Sequence, residues 1–97
     1  MTPESEIQAI LEERGKIYGD PELSHENIGL AWTGIIQQHY GIRLDHPIPA
    51  WLCELMMVQF KLSRSARVFH HDNFVDARAY LGFAEEHQDK AFCDGQD

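Results

Sequence analysis

Several things are scarce in this sequence, and each scarcity excludes something. No apolar run approaches the roughly 18–20 residues that a membrane-spanning helix needs. The opening segment, Met1 to Glu6, has neither the basic nor the apolar region of a secretory signal, so a cytoplasmic chain is expected. The two cysteines, Cys53 and Cys93, lie forty residues apart, and there is no CxxC pair. That spacing excludes a structural zinc ribbon and favours buried free thiols over a disulfide. There is no Walker loop, no GxGxxG and no nucleophile elbow. No stretch sustains strand-type alternation, and there is no internal repeat.

Basic charge is scarce too. Eight Lys and Arg stand against sixteen Asp and Glu, a net charge of -8 in 97 residues. Direct nucleic-acid binding is therefore not expected. The charge is unevenly spread. Residues 1–26 carry seven acids and two bases, residues 72–97 carry the same, and residues 27–71 carry two acids and four bases. Most of the base falls in Lys61-Leu-Ser-Arg64-Ser-Ala-Arg67, on neighbouring turns if helical. It either neutralises acidic helices packed nearby or forms a phosphate-binding strip.

What is present is helical periodicity. Thr2-Pro3 reads as a cap followed by proline, with Ile7, Ile10 and Leu11 at helical spacing and Gly15 as a stop. Asp20-Pro21 repeats the signal, and Ile28, Ala31, Trp32, Ile35, Ile36 and His39 form a stripe that Gly41 ends. Pro47 and Pro49 make residues 42–49 a linker. From Trp51 to Leu62 the only strongly polar residues are Glu54, Gln59 and Lys61, the pattern of a buried helix. Asp72 is placed to cap a last helix bearing Phe74, Ala77, Leu81, Ala84 and Phe92. The expectation is an all-α compact four-helix bundle of one domain, with helices over about 3–14, 21–40, 49–69 and 73–92. The third helix is expected to be buried at the centre. A chain this short is often stabilised further by homo-oligomerisation.

Glu54 is the anomaly. A carboxylate in an apolar helix must be paired, metal-bound or protonated, or else face a solvated strip. Lys61 and Arg64 follow it by about two and three turns, forming one ridge that is either a ligand site or an internal salt-bridge ladder. Asp72 and Asp76 share a face at a spacing of four and can hold magnesium together, or serve as a cap and a first-turn acid. His25 and Glu26 could approach Glu54 and Asp76 if the second helix packs on the third and fourth. Tyr18, Trp32, Trp51 and Tyr80 could stack a base or fill core.

The run Glu13-Arg-Gly-Lys-Ile-Tyr-Gly-Asp-Pro21, then His25-Glu-Asn27, Met56-Met57, Lys61-xx-Arg64 and Asp72-xxx-Asp76-xxx-Tyr80 resembles a group of small phage and prophage proteins. That group is similar, more distantly, to the MazG-like all-α NTP pyrophosphatases. The resemblance implies an oligomeric helical bundle in the host cytoplasm that binds nucleotides and hydrolyses them with Mg2+. Glu54, Asp72 and Asp76 would then be the metal ligands, Glu54 and Asp76 would serve catalysis, and Lys61, Arg64, Tyr18 and His25 would contact the ligand. The family pairs an ExxE helix with a later ExxD; here Glu54 stands alone and the later pair is spaced by four. An alternative without catalysis is an acidic phage protein that binds and inhibits a host defence protein, in the manner of a nucleic-acid mimic.

Overall fold

The computed structural model describes residues 3–94, with side chains described over 4–13 and 19–93. It is all-α: α1 (Pro3–Tyr18), α2 (Pro21–Tyr40), α3 (Ala50–Arg67) and α4 (His71–Asp94). Helix α3 sits at the centre, packing most extensively on α4 and then on α2, while α1 lies against α4 and α2. No described helix is long and apolar enough to cross a membrane.

The α2 boundaries follow local chemistry. The Asp20 carboxylate accepts from the Glu22 N–H at 3.0 Å, and Pro21 opens the helix. At the other end Gly41 takes a left-handed conformation, φ 65°, and its N–H donates to Gln37 O. Gly15 does not stop α1. Glycine inside a helix costs only about 1 kcal/mol, and the left-handed turn that ends α1 falls four residues later, at Gly19 (φ 77°). The expected loop over 15–21 therefore shrinks to Gly19 and Asp20. Helix α4 begins at His71, ahead of Asp72, so Asp72 is an exposed first-turn acid rather than the cap. His71 donates from Nε2 to Glu6 on α1, at 2.9 Å.

The linker is strapped onto α2. Ile48 N–H donates to the Thr33 hydroxyl at 2.8 Å, which in turn donates to Gly29 O at 2.7 Å. Leu44 N–H reaches the Gln37 side chain at 2.8 Å. Gly29 is required here, because a Cβ would collide with the Ile48 carbonyl.

The packed faces match the apolar stripes only in part, through Ala77 and Ala84 on α4. On α2 the buried residues are His25, Gly29 and Thr33, whereas Ile35 is exposed. On α4 they are Asn73, Val75, Ala77, Ala79, Ala84 and His87, whereas Leu81 and Phe92 are half exposed. Helix α3 buries Ala50, Cys53, Glu54 and Val58 but leaves Met56, Phe60 and Leu62 open, so it is central without being enclosed all round. Small residues let backbones approach closely, and the larger side chains are turned outward. Cys53 is buried and Cys93 is exposed, neither in a disulfide, so only one of the two cysteines is the buried thiol expected of both.

Candidate functional site

The largest fully buried side chain is a carboxylate, Glu54. Both of its oxygens are engaged by imidazoles from neighbouring helices. His25 Nδ1, on α2, donates to Oε2 at 2.6 Å. His87 Nδ1, on α4, lies 2.9 Å from Oε1 and 2.8 Å from Oε2. The other nitrogen of His87 faces Glu22, Nε2 to Oε2 3.6 Å, and Glu22 approaches Lys90 at 3.5 Å. Five side chains from three helices thus form one row, Lys90, Glu22, His87, Glu54 and His25. Such pairing is what a buried carboxylate requires, since bare charge in low dielectric is costly. Beside it, burial and the Glu54 charge push the Cys53 thiol up to about 11, so this thiol holds its proton at neutral pH.

The inner end of the row opens on a cleft of about 380 Å³ where the helices meet, lined by His25, Ile28, Lys61, Asp76, Tyr80 and Phe83 among others. The His25 ring packs against Tyr80 (centroids 5.6 Å apart) and edge-on to Phe83 (5.7 Å). In the same cleft Lys61 pairs with Asp76 at 3.1 Å, each side chain 14% exposed. The volume lies at the lower end for small-molecule sites, and the apolar wall with a few polar groups is their usual makeup.

The structure thus brings His25, Lys61, Asp76 and Tyr80 to one cleft. Glu54 stands behind His25 and does not line it. Arg64 is exposed with its guanidinium 5.6 Å from the Phe60 ring, so the Glu54, Lys61 and Arg64 ridge splits: Glu54 pairs inward, Lys61 pairs with Asp76, and Arg64 faces solvent. Trp51 packs on Phe92, away from the cleft. The Tyr18 side chain lies outside the described residues. Among the described residues no three His, Cys, Asp or Glu side chains are gathered as a cation site. Glu54 is taken up by imidazoles and Asp76 by Lys61, so the expected set of Glu54, Asp72 and Asp76 does not fit a resident magnesium.

His87 and Glu22 were not singled out by sequence reasoning. One signal was available for His87: Asp76, Tyr80, Phe83 and His87 follow at intervals of four, three and four, a single face of α4. Three of the four line the cleft and the fourth reaches Glu54.

No curated protein and no solved structure matches the chain. A family model does: residues 4–88 match the family described as Domain of unknown function (DUF6378), and the chain belongs to that family.

Proposed function

We propose that the cleft binds a phosphate-bearing small molecule of the nucleotide class, in keeping with the resemblance to phage proteins and, through them, to MazG-like pyrophosphatases. The observation that carries this reading is the Lys61–Asp76 pair in the wall of a cleft that Tyr80 and Phe83 also line. A lysine held in a part-dry cleft by one carboxylate is preorganised to exchange that partner for phosphate oxygens. Tyr80 offers a ring face for a base. The local charge supports it, because residues 27–71 carry more bases than acids within an acidic chain. Magnesium enters this reading as the counter-ion that a nucleotide carries. The test is calorimetric titration with a panel of nucleoside mono-, di- and triphosphates, with and without Mg2+, while pyrophosphate release is followed. Lys61→Met should weaken binding about tenfold. No binding by any nucleotide under either condition sinks the reading.

A second reading, self-assembly, is favoured by a separate observation. The chain presents 7211 Å² to solvent, against about 5700 Å² for a compact monomer of its mass. The excess, about 1500 Å², is nearly twice what each partner loses in a standard interface, about 800 Å². The outer face of α2 suits a second copy. Leu23, Asn27, Leu30, Ala31, Gly34, Ile35 and Gln38 are all exposed, and none is charged. The exposed apolar residues of α3 and α4 instead sit among charges, Phe60 beside Lys61 and Arg64, and Leu81 near Glu85. An uncharged face spares two copies of an acidic chain the repulsion of like charges. Gly34 has no neighbour within 4 Å of where a Cβ would stand, so nothing inside the chain demands a glycine there. On this reading wild type sediments at twice 11.2 kDa, and Gly34→Arg restores the monomer with its helix content intact. A monomeric wild type at every attainable concentration refutes it.

A further inference from the structure

We infer that this chain binds further copies of itself head to tail, the corner between α3 and α4 of one copy seating in a groove farther along the same two helices of the next. The inference rests neither on the cleft reading nor on the α2 face.

The two surfaces are complementary in chemistry. The corner is a basic, apolar knob. Phe69 is 73% exposed, more than any other large apolar side chain described, and its ring lies 5.8 Å from that of Phe74. Arg64 and Arg67 precede it near the end of α3, one turn apart and exposed. Among the described residues neither has an acidic partner. The groove, of about 600 Å³, is lined by buried Ala84 and by the apolar side chains of Leu55, Leu81 and Phe92. Two exposed acids on α4, Glu85 and Asp89, complete it, again one turn apart. Asp89 accepts from the Cys93 thiol, whereas Glu85 has no cationic partner among the described residues. A pair of cations beside exposed aromatic rings thus matches a pair of anions beside an apolar groove.

Three observations make the occupant another copy of this chain. Helix α4 starts at His71, and the groove begins at Leu81, about 15 Å farther along the helix. A knob therefore cannot fill the groove of its own chain. An anionic bilayer or a nucleic acid is a poor occupant for the knob, since the net charge of -8 opposes both. The exposed surface, about 1500 Å² above that of a compact monomer, is more than one interface of about 800 Å² accounts for. A head-to-tail contact engages two separate surfaces on every copy. It is heterologous, so it repeats from copy to copy and builds rings or filaments instead of closing as a two-fold dimer. Neither Phe69 nor any groove residue lines the cleft, which stays open in such an assembly.

The experiment uses the full chain carrying Gly34→Arg, which puts a charge in the α2 face so that assembly through that face plays no part. Analytical ultracentrifugation follows its mass from about 10 μM to about 1 mM. A contact of this size is weak, so the mass should rise above 11.2 kDa only towards the upper concentrations and fall back in high salt. Phe69→Asp and Leu81→Asp change exposed positions and should fold as the parent, checked by circular dichroism. Each alone should weaken association by about tenfold or more. Mixed, they should form a one-to-one pair and nothing larger, because one intact knob and one intact groove remain between them. Arg64→Glu with Arg67→Glu should abolish association, as should Glu85→Arg with Asp89→Arg, and all four changes in one chain should restore it. A parent that stays monomeric at about 1 mM overturns the inference. Loss in only one of the two Asp variants points to a symmetric contact and overturns it as well. So does capture of the parent by phosphatidylglycerol vesicles without self-association, which would assign the knob to a membrane.

Discussion

Removing Glu54 alone should cost more than removing it together with its partners. Glu54→Leu keeps a side chain of similar size in a fully enclosed position. It leaves His25 Nδ1 and His87 Nδ1 facing hydrocarbon, where they had donated at 2.6 and 2.8 Å. Breaking a buried charged network by deleting one member costs about 3–5 kcal/mol. For a domain of this size, 1 kcal/mol corresponds to roughly 4–8 °C in Tm, so the midpoint should fall by about 15 °C or more. Glu54→Gln keeps one acceptor but turns an amide N–H towards an imidazole, at a cost of about 1–3 kcal/mol. The triple variant Glu54→Leu, His25→Phe, His87→Leu removes the three buried members at once and should recover to within about 1 kcal/mol of wild type. Thermal and urea unfolding of the single and triple variants, followed by circular dichroism, measures the difference. A Glu54→Leu chain as stable as wild type would refute the buried pairing, and a triple variant weaker than the single would refute its non-additivity. Recovery in the triple variant would mean that the network is dispensable for folding.

Three further outcomes follow from single positions. Gly29→Ala drives a Cβ into the Ile48 carbonyl and should cost about 1–3 kcal/mol, whereas Gly34→Ala meets nothing and should stabilise the monomer by about 0.5–1 kcal/mol; equal effects in urea melts would contradict the strapping of the linker onto α2. With a chromogenic disulfide reagent near pH 8, exposed Cys93 should react at once, and Cys53, pushed up to about 11, only at the rate of opening; two equally fast thiols would contradict its burial. Asp20→Ala removes the carboxylate that accepts from Glu22 N–H and should cost about 1 kcal/mol, read as a lowered urea midpoint, with Asp20→Asn close to wild type.

Much of the local structure was legible in the residues. Asp20-Pro21 and Gly41 bound α2 where their backbone chemistry requires, and Pro47 and Pro49 kept the linker irregular. The boundaries that were misread, at Gly15 and Asp72, involve residues that can stop or cap a helix without having to. Glu54 was legible as an anomaly, because a carboxylate in that apolar run needs a partner. Its partners were not legible, since His25 lies 29 residues before it and His87 lies 33 after it. No periodicity encodes contacts between helices at that separation. Which face of each helix turns inward was decided by tertiary packing as well. Apolar stripes on α2 and α4 suggested one orientation. On α2 close approach at Gly29 selected another, because only a glycine lets the helix reach the linker; on α4 Ala77 and Ala84 of the stripe turn inward as expected, while Phe74, Leu81 and Phe92 do not. The sequence thus determined four helices and one carboxylate in need of partners, and the packing decided that two histidines meet it and that one of them lines the cleft.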